Sequence, residues 1–266
     1  MRHRVPYLTE EAIEHDATAL LAEYRHAHGV TLGPPIPVED IIEKHLQLSI
    51  DFDDMHAQHG VPRPASGDPG ILGTIYADRS IFVDESLDPV EHPTQEGRYR
   101  FTLAHEGGGH WRLHRSLLMS DTAQSSFLNE ASTGTWICRT TQAKAREEWQ
   151  ADFYASCLLL PREMVFAAWE NLFPDHKRRV LLPLIPNDRP FDESDRRFDL
   201  LGGDVARVSE DRVLAQVCEP LARRFAVSRA AMRIRLEKLG LLRHSVPGQQ
   251  PLFIDGLSPF EEPAQC

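Results

Sequence analysis

The sequence predicts a mixed α+β fold in which a small sheet packs against helices. Apolar residues recur at helical spacing near the N-terminus, across 143–160 and again beyond 209. Short alternating runs fall between residues 46 and 84. With 41% hydrophobic and 26% charged residues over 266 positions, the chain has enough apolar material for a sizeable core. No apolar run reaches the roughly 18 residues of a membrane helix, and the N-terminus lacks the apolar stretch of a signal peptide. Cys138, Cys157, Cys218 and Cys266 fit no C-x-x-C spacing and read as reduced thiols of a cytoplasmic protein. A net charge of −11 argues against a surface built for nucleic acid all round, though not against a local basic patch.

The elements follow in order. Ile13, Ala17, Leu20, Leu21 and Tyr24 make the stripe of a first helix over 9–28, with Thr9 as its N-cap. Gly33-Pro34-Pro35 breaks the chain, and Pro37 opens a short helix with Val38, Ile41 and Ile42 inward. Leu46, Leu48, Ile50 and Phe52 alternate as a strand, and a polar loop spans 53–70. Residues 71–76 and 80–84 form a hairpin turning at Ala77-Asp78-Arg79, an antiparallel wall for a cleft. After a polar stretch at 120–132, residues 135–138 read as a short strand. Ala143 to Leu160 reads as a helix that Pro161 ends. Residues 175–205 are rich in charge and proline, and read as a linker or an inserted loop. Ser209 is placed to cap a helix over Val213, Leu214 and Val217. Pro220 opens another with Leu221, Ala222 and Phe225, and Ser228 caps a third with Met232, Leu236 and Leu239 inward before Gly240. The Pro-rich tail runs from 244 to 266.

Between the hairpin and the 143–160 helix lies Phe101-Thr102-Leu103-Ala104-His105-Glu106-Gly107-Gly108-Gly109-His110-Trp111-Arg112-Leu113-His114. This is nearly H-E-x-x-H, in which two imidazoles one helical turn apart hold zinc and the Glu activates water. Here the two histidines are five residues apart and three glycines separate Glu106 from His110. At about 100° per residue, a four-residue step leaves side chains about 40° apart and a five-residue step about 140°. A regular α-helix would split the pair, whereas a π-bulge absorbs the extra residue. Glycine makes that distortion sterically easy, at roughly 1 kcal/mol each relative to Ala. A catalytic zinc also needs a third ligand, and Glu148 and Asp152 share one face of the following helix. One carboxylate can bind metal while the other accepts an imidazole N–H and fixes its tautomer. A second pairing uses His110 and His114, four residues apart, with Glu106 on the same face.

The order of these motifs resembles the ImmA/IrrE family of bacterial metallopeptidases. The resemblance rests on Arg100 to Glu106 with His110 and Leu113-His114, on Glu148-Trp149-Gln150-Ala151-Asp152-Phe153-Tyr154-Ala155, and on Leu158-Leu159-Leu160-Pro161. Upstream it includes Pro35-Ile36-Pro37-Val38-Glu39 and the hairpin from Gly73 to Val83, so it covers most of residues 10–170. It implies a zincin-like domain over 1–170, with Zn²⁺ held by His105, His110 and Glu148, Asp152 behind a ligand, and Glu106 as general base. It further implies a cytoplasmic endopeptidase that cleaves a transcriptional repressor, derepressing stress, prophage or mobile-element genes. His114 is the alternative ligand. Tyr154 and His114 are the candidate oxyanion donors.

Beyond a linker at 171–208, residues 209–243 read as a helix-turn-helix-like module. Arg223, Arg224, Arg229 and Arg233 form its basic patch, a candidate contact for DNA or a partner protein. The competing expectation is a catalytically inactive zincin-like scaffold that regulates by binding DNA or a repressor.

Overall fold

The computed structural model describes residues 5–59, 72–125, 146–173, 179–182, 206–209 and 214–244. The strand expected at 135–138 and the tail beyond 244 lie outside the described residues.

Helix α1 spans Glu10–His28. Thr9 Oγ1 accepts the Ala12 N–H at 3.2 Å, and Gly29 at φ 65° turns the chain out of the helix. All five residues of its predicted stripe are buried. Helix α2, Val38–Asp40, runs on into a π turn at Ile41–His45. That turn carries Leu46 with it, so strand β1 starts only at Ser49 and ends at Asp53.

Strands β2 (Gly73–Ile75) and β3 (Ser80–Asp84) form the predicted hairpin, with Arg79 at φ 80° in its turn. The sheet as a whole is mixed rather than antiparallel. Its order is β1-β3-β2, with Ile50 opposite Ile81 in a parallel pair and Ile75 opposite Ile81 in an antiparallel one. With β3 in the middle, the second strand of the hairpin pairs with β1 in parallel and with β2 in antiparallel. Ile75, Ile81 and Val83 are fully buried and supply the apolar support for the helices.

Helix α3 (Glu96–Leu103), a π turn (Ala104–His110) and α4 (Trp111–Ser125) follow one another directly. Helix α5 spans Arg146–Leu159. Pro161 both ends it and opens α6 (Arg162–Leu172), which buries Val165, Ala168 and Trp169. Within the stretch read as a linker, β4 (Arg179–Leu182) and β5 (Ala206–Ser209) are strands, and they join β6 (Leu242–His244) in an all-parallel sheet of order β5-β4-β6. Ser209 is the last residue of β5, and the residues just after it, 210–213, where it was expected to cap a helix, lie outside the described residues.

After a π turn at Leu214–Cys218 come α7 (Glu219–Phe225) and α8 (Arg229–Lys238), with Ala226 at φ 51° between them. Ser228 Oγ accepts the Ala231 N–H at 3.1 Å, the predicted cap. Leu221, Phe225, Met232 and Leu236 of this helix pair belong to the same apolar cluster as α1, α5 and the sheet. Polar ties reinforce the docking. Fully buried Arg235 donates to Leu160 O at 3.0 Å and pairs with Glu14 of α1, while Arg100 of α3 donates to Ala226 O at 3.1 Å and to Ile36 O. Burial works against the charge on Glu14, but Arg162 and Arg235 together outweigh it and hold its carboxyl below the ordinary value. None of the described helices is long and apolar enough to cross a membrane.

Candidate metal centre

The residues HEGGGH fold as a π turn over Ala104–His110. Its signature is the Trp111 N–H donating to Glu106 O, five residues back. The additional residue is absorbed in this wider turn, and His105 Nε2 comes to 3.0 Å from His110 Nε2. His105, Glu106 and His110 are all buried.

The glycines do more than permit the distortion. A Cβ on Gly109 would lie 2.6 Å from Ala151 Cα and 2.7 Å from Ala151 Cβ, so the π turn rests directly on the α5 backbone. One on Gly108 would meet Tyr154 Cε1 at 3.0 Å, and one on Gly107 would meet Ile42 Cγ1 at 2.8 Å. Each glycine thus serves a close approach to a different neighbour.

That approach delivers the third ligand. Glu148 Oε2 is 3.5 Å from His105 Nε2, and Oε1 is 3.7 Å from His110 Nε2. A tetrahedral site with bonds of about 2.0–2.2 Å has ligand-to-ligand edges of about 3.3–3.6 Å. The three observed edges, 3.0, 3.5 and 3.7 Å, bracket that range, so a zinc-sized cation fits the donor set. No other group of three such side chains converges among the described residues. Asp152, one turn beyond Glu148, brings Oδ1 to 2.9 Å from His105 Nδ1. The carboxylate accepts that N–H and leaves the Nε2 lone pair facing the centre.

His114 is fully buried and stands behind His110, not at the convergence point. Its Nδ1 is 3.1 Å from His110 Nδ1, and its Nε2 is 2.8 Å from Gln150 Oε1. Gln150, which sequence reasoning did not single out, in turn donates to Pro6 O at 2.9 Å. Tyr154 also faces elsewhere, since its hydroxyl donates to Asp16 Oδ1 at 3.0 Å.

Glu106 sits beside the three ligands and is 3% exposed. Its Oε2 has no hydrogen-bond partner among the described residues. Burial pushes its carboxyl up to about 7; the nearby His105 works against this shift and Glu148 adds to it. Burial likewise pushes His110 well below the usual imidazole value, and lowers His114. Neutral imidazoles and a proton-exchanging carboxyl are the protonation states that metal-assisted hydrolysis uses. Gly73 of β2 packs against Thr102 and Glu106, and a Cβ there would be 3.3 Å from Glu106 Cγ, so the outer strand of the sheet passes directly over this group.

The basic patch is partly neutralised. Arg223 pairs with Glu219 at 2.6 Å, Arg229 with Glu219 at 3.3 Å and Arg233 with Glu237 at 2.8 Å, while Arg224 is exposed. Arg235, on the same helix, turns inward.

Comparison with known proteins adds little. The sequence matches no protein-family model, and it matches no curated protein. Among solved structures it is similar to a Mycobacterium tuberculosis transcriptional regulator, with 16% identity and a TM-score of 0.41 over 86% of this chain and 48% of that one. This chain therefore spans about half the length of that regulator, and a likeness of this degree says nothing about activity.

Proposed function

We propose that this chain is a zinc-dependent endopeptidase of the ImmA/IrrE type, acting in the cytoplasm on a regulatory protein such as a helix-turn-helix repressor. The observation that carries the reading is the convergence of His105 Nε2, His110 Nε2 and the Glu148 carboxylate beside buried Glu106, whose Oε2 has no hydrogen-bond partner among the described residues. His105, His110 and Glu148 would hold the ion, and Asp152 would fix the first imidazole. A zinc ion there supplies Lewis acidity, polarising a scissile carbonyl and acidifying water. Glu106 takes the proton from the attacking water and returns it to the departing amine, a role suited to a carboxyl that titrates near 7. Burial favours the neutral form of His110, which leaves it available as a ligand. The π turn answers the main objection raised by the motif spacing, since it aligns two histidines that an α-helix would separate. DNA contact through Arg223, Arg224, Arg229 and Arg233 is the weaker part of the reading, because Glu219 and Glu237 already engage three of the four.

Zinc content after reconstitution, followed by a cleavage assay on helix-turn-helix repressors of the same genome, tests the proposal. The protein should hold stoichiometric zinc, and Glu106→Gln should keep the metal while losing cleavage. Failure to retain zinc, or undiminished cleavage by Glu106→Gln, would overturn it. Zinc binding without any cleavage by the parent protein would favour the inactive regulator instead.

A further inference from the structure

Behind the metal centre, four groups form one line that runs from the buried site to the surface: His110 Nδ1 to His114 Nδ1 at 3.1 Å and His114 Nε2 to Gln150 Oε1 at 2.8 Å, both buried, and Gln150 Nε2 to Pro6 O at 2.9 Å, where Pro6 is exposed. The His114 and Gln150 side chains are both fully buried, so water does not compete for the contacts on either side of His114. The far end decides the direction of every bond. A backbone carbonyl can only accept, so the group facing Pro6 O has to be the Gln150 amide nitrogen. Gln150 then offers only its oxygen to His114, and His114 Nε2 carries the hydrogen. In a neutral imidazole the other nitrogen is then an acceptor, so His114 Nδ1 receives the N–H of His110 Nδ1. His110 is left with a bare Nε2 lone pair. The reverse polarity would need Gln150 flipped, with its oxygen against Pro6 O at 2.9 Å, two acceptors in hydrogen-bond contact.

We infer that His114 and Gln150 are positioning residues that lock His110 as the Nδ1–H tautomer, with the Pro6 carbonyl setting the polarity of the relay. The inference deepens the metal-centre reading and rests on it. On the other side Asp152 does the same for His105. Two lone pairs then face each other across 3.0 Å, an arrangement suited to a cation between them. The roles are divided accordingly: His114 is not a ligand, although its spacing from His110 allows one. The stretch just ahead of α1 is also tied to the site, since Arg146 holds Val5 O at 3.1 Å next to the Pro6 contact.

Two measurements test this. In the zinc-loaded parent, imidazole ¹⁵N spectra should show His114 protonated at Nε2 and His110 at Nδ1; a His114 protonated at Nδ1, or one coupled directly to the metal, would overturn the relay. The same spectra of the metal-free protein report the tautomers even if zinc binding fails, which separates this inference from the peptidase reading. Zinc affinity, measured by competition with a chelating dye, is the second readout. Gln150→Leu removes the acceptor and should weaken zinc about 10- to 100-fold, the usual effect of losing a group behind a ligand. Gln150→Glu keeps an acceptor for His114 but sets an oxygen against Pro6 O, and should lose clearly less zinc affinity than Gln150→Leu. Equal losses in both variants would mean that Gln150 merely anchors the N-terminal segment, and would sink the inference.

Discussion

Gly109→Ala puts the close approach of the π turn and α5 under direct stress. The new Cβ would stand 2.6 Å from Ala151 Cα, 2.7 Å from its Cβ and 3.0 Å from its carbonyl oxygen. Carbon atoms settle at about 3.5–4.0 Å, so the α5 backbone would have to retreat by about 1 Å. Overpacking of this kind costs about 1–3 kcal/mol, offset by about 1 kcal/mol from alanine's better helix propensity. The net loss of stability is therefore small, roughly 0–2 kcal/mol. Metal binding should suffer more. The retreat carries Glu148 and Asp152 with it, and widens edges that now measure 3.5 and 3.7 Å. Ligand distances tolerate only about 0.2 Å. We expect zinc affinity to fall at least about tenfold, or about 1.4 kcal/mol. Gly107→Ala is the control. Its obstacles are Ile42 Cγ1 and Cδ1 and Ile81 Cδ1, side-chain atoms on elements that carry no ligand, so their adjustment costs core packing and leaves the ligand helix in place. Thermal unfolding of the metal-free variants and dye competition for zinc give the two readouts. Zinc bound by Gly109→Ala as tightly as by the parent, or a larger loss in Gly107→Ala, would refute the packing argument.

Other consequences follow from the same groups. Because burial raises the Glu106 carboxyl from 4.5 to about 7, the folded metal-free protein holds this proton more tightly than the unfolded chain. Its contribution is complete below the unfolded value and is lost as the pH rises through about 7. Relative to the parent, metal-free Glu106→Gln should gain about 3 kcal/mol in urea unfolding between about pH 4 and about pH 8, and a flat difference would contradict the assigned shift. His110 and His114 act in the opposite sense: their lowered values make the metal-free fold lose stability as the pH drops below 6.5, which acid titration by circular dichroism should reveal. Asp152→Asn should weaken zinc about 10- to 100-fold in dye competition with little change in the fold. Arg235→Met leaves Glu14 with Arg162 alone and should cost about 3 kcal/mol in chemical unfolding. Zinc affinity should stay at the parent level, since Arg235 contacts no ligand.

Local signals in the sequence carried most of the elements. Thr9 and Ser228 cap the helices they precede, because the cap bond needs only a hydroxyl and an N–H three residues on. Five-residue spacing between His105 and His110 forces a π turn if both are to face one point, and the chain adopts one. Glu148 and Asp152 stand near His105 as their helical spacing suggested. What escaped depends on contacts distant in the chain. Nothing local reveals that Gly109 rests on Ala151 or that Gln150 reaches Pro6, although Gln150 stands between Glu148 and Asp152 in the quoted motif. The parallel pairing of β1 with β3 was likewise hidden, because alternation marks a strand but not its direction. Strands β4 and β5 lie in a stretch whose charges and prolines suggested a linker; strands this short give too little pattern to be recognised alone.

Arg100 connects points that leave the ribosome at very different times. Its guanidinium holds Ile36 O, 64 residues upstream, and Ala226 O, 126 residues downstream. The ligand set itself is complete once Glu148 has emerged. For a long interval of synthesis the chain therefore carries both imidazoles and the carboxylate while α3, which leads into the π turn of the two histidines, lacks its distal clamp. Closing so wide a loop is entropically costly and slow relative to local helix formation. Maturation of the centre is consequently a late event in the life of the nascent chain, and a ribosome stalled before residue 226 would hold ligands without the framework that fixes them.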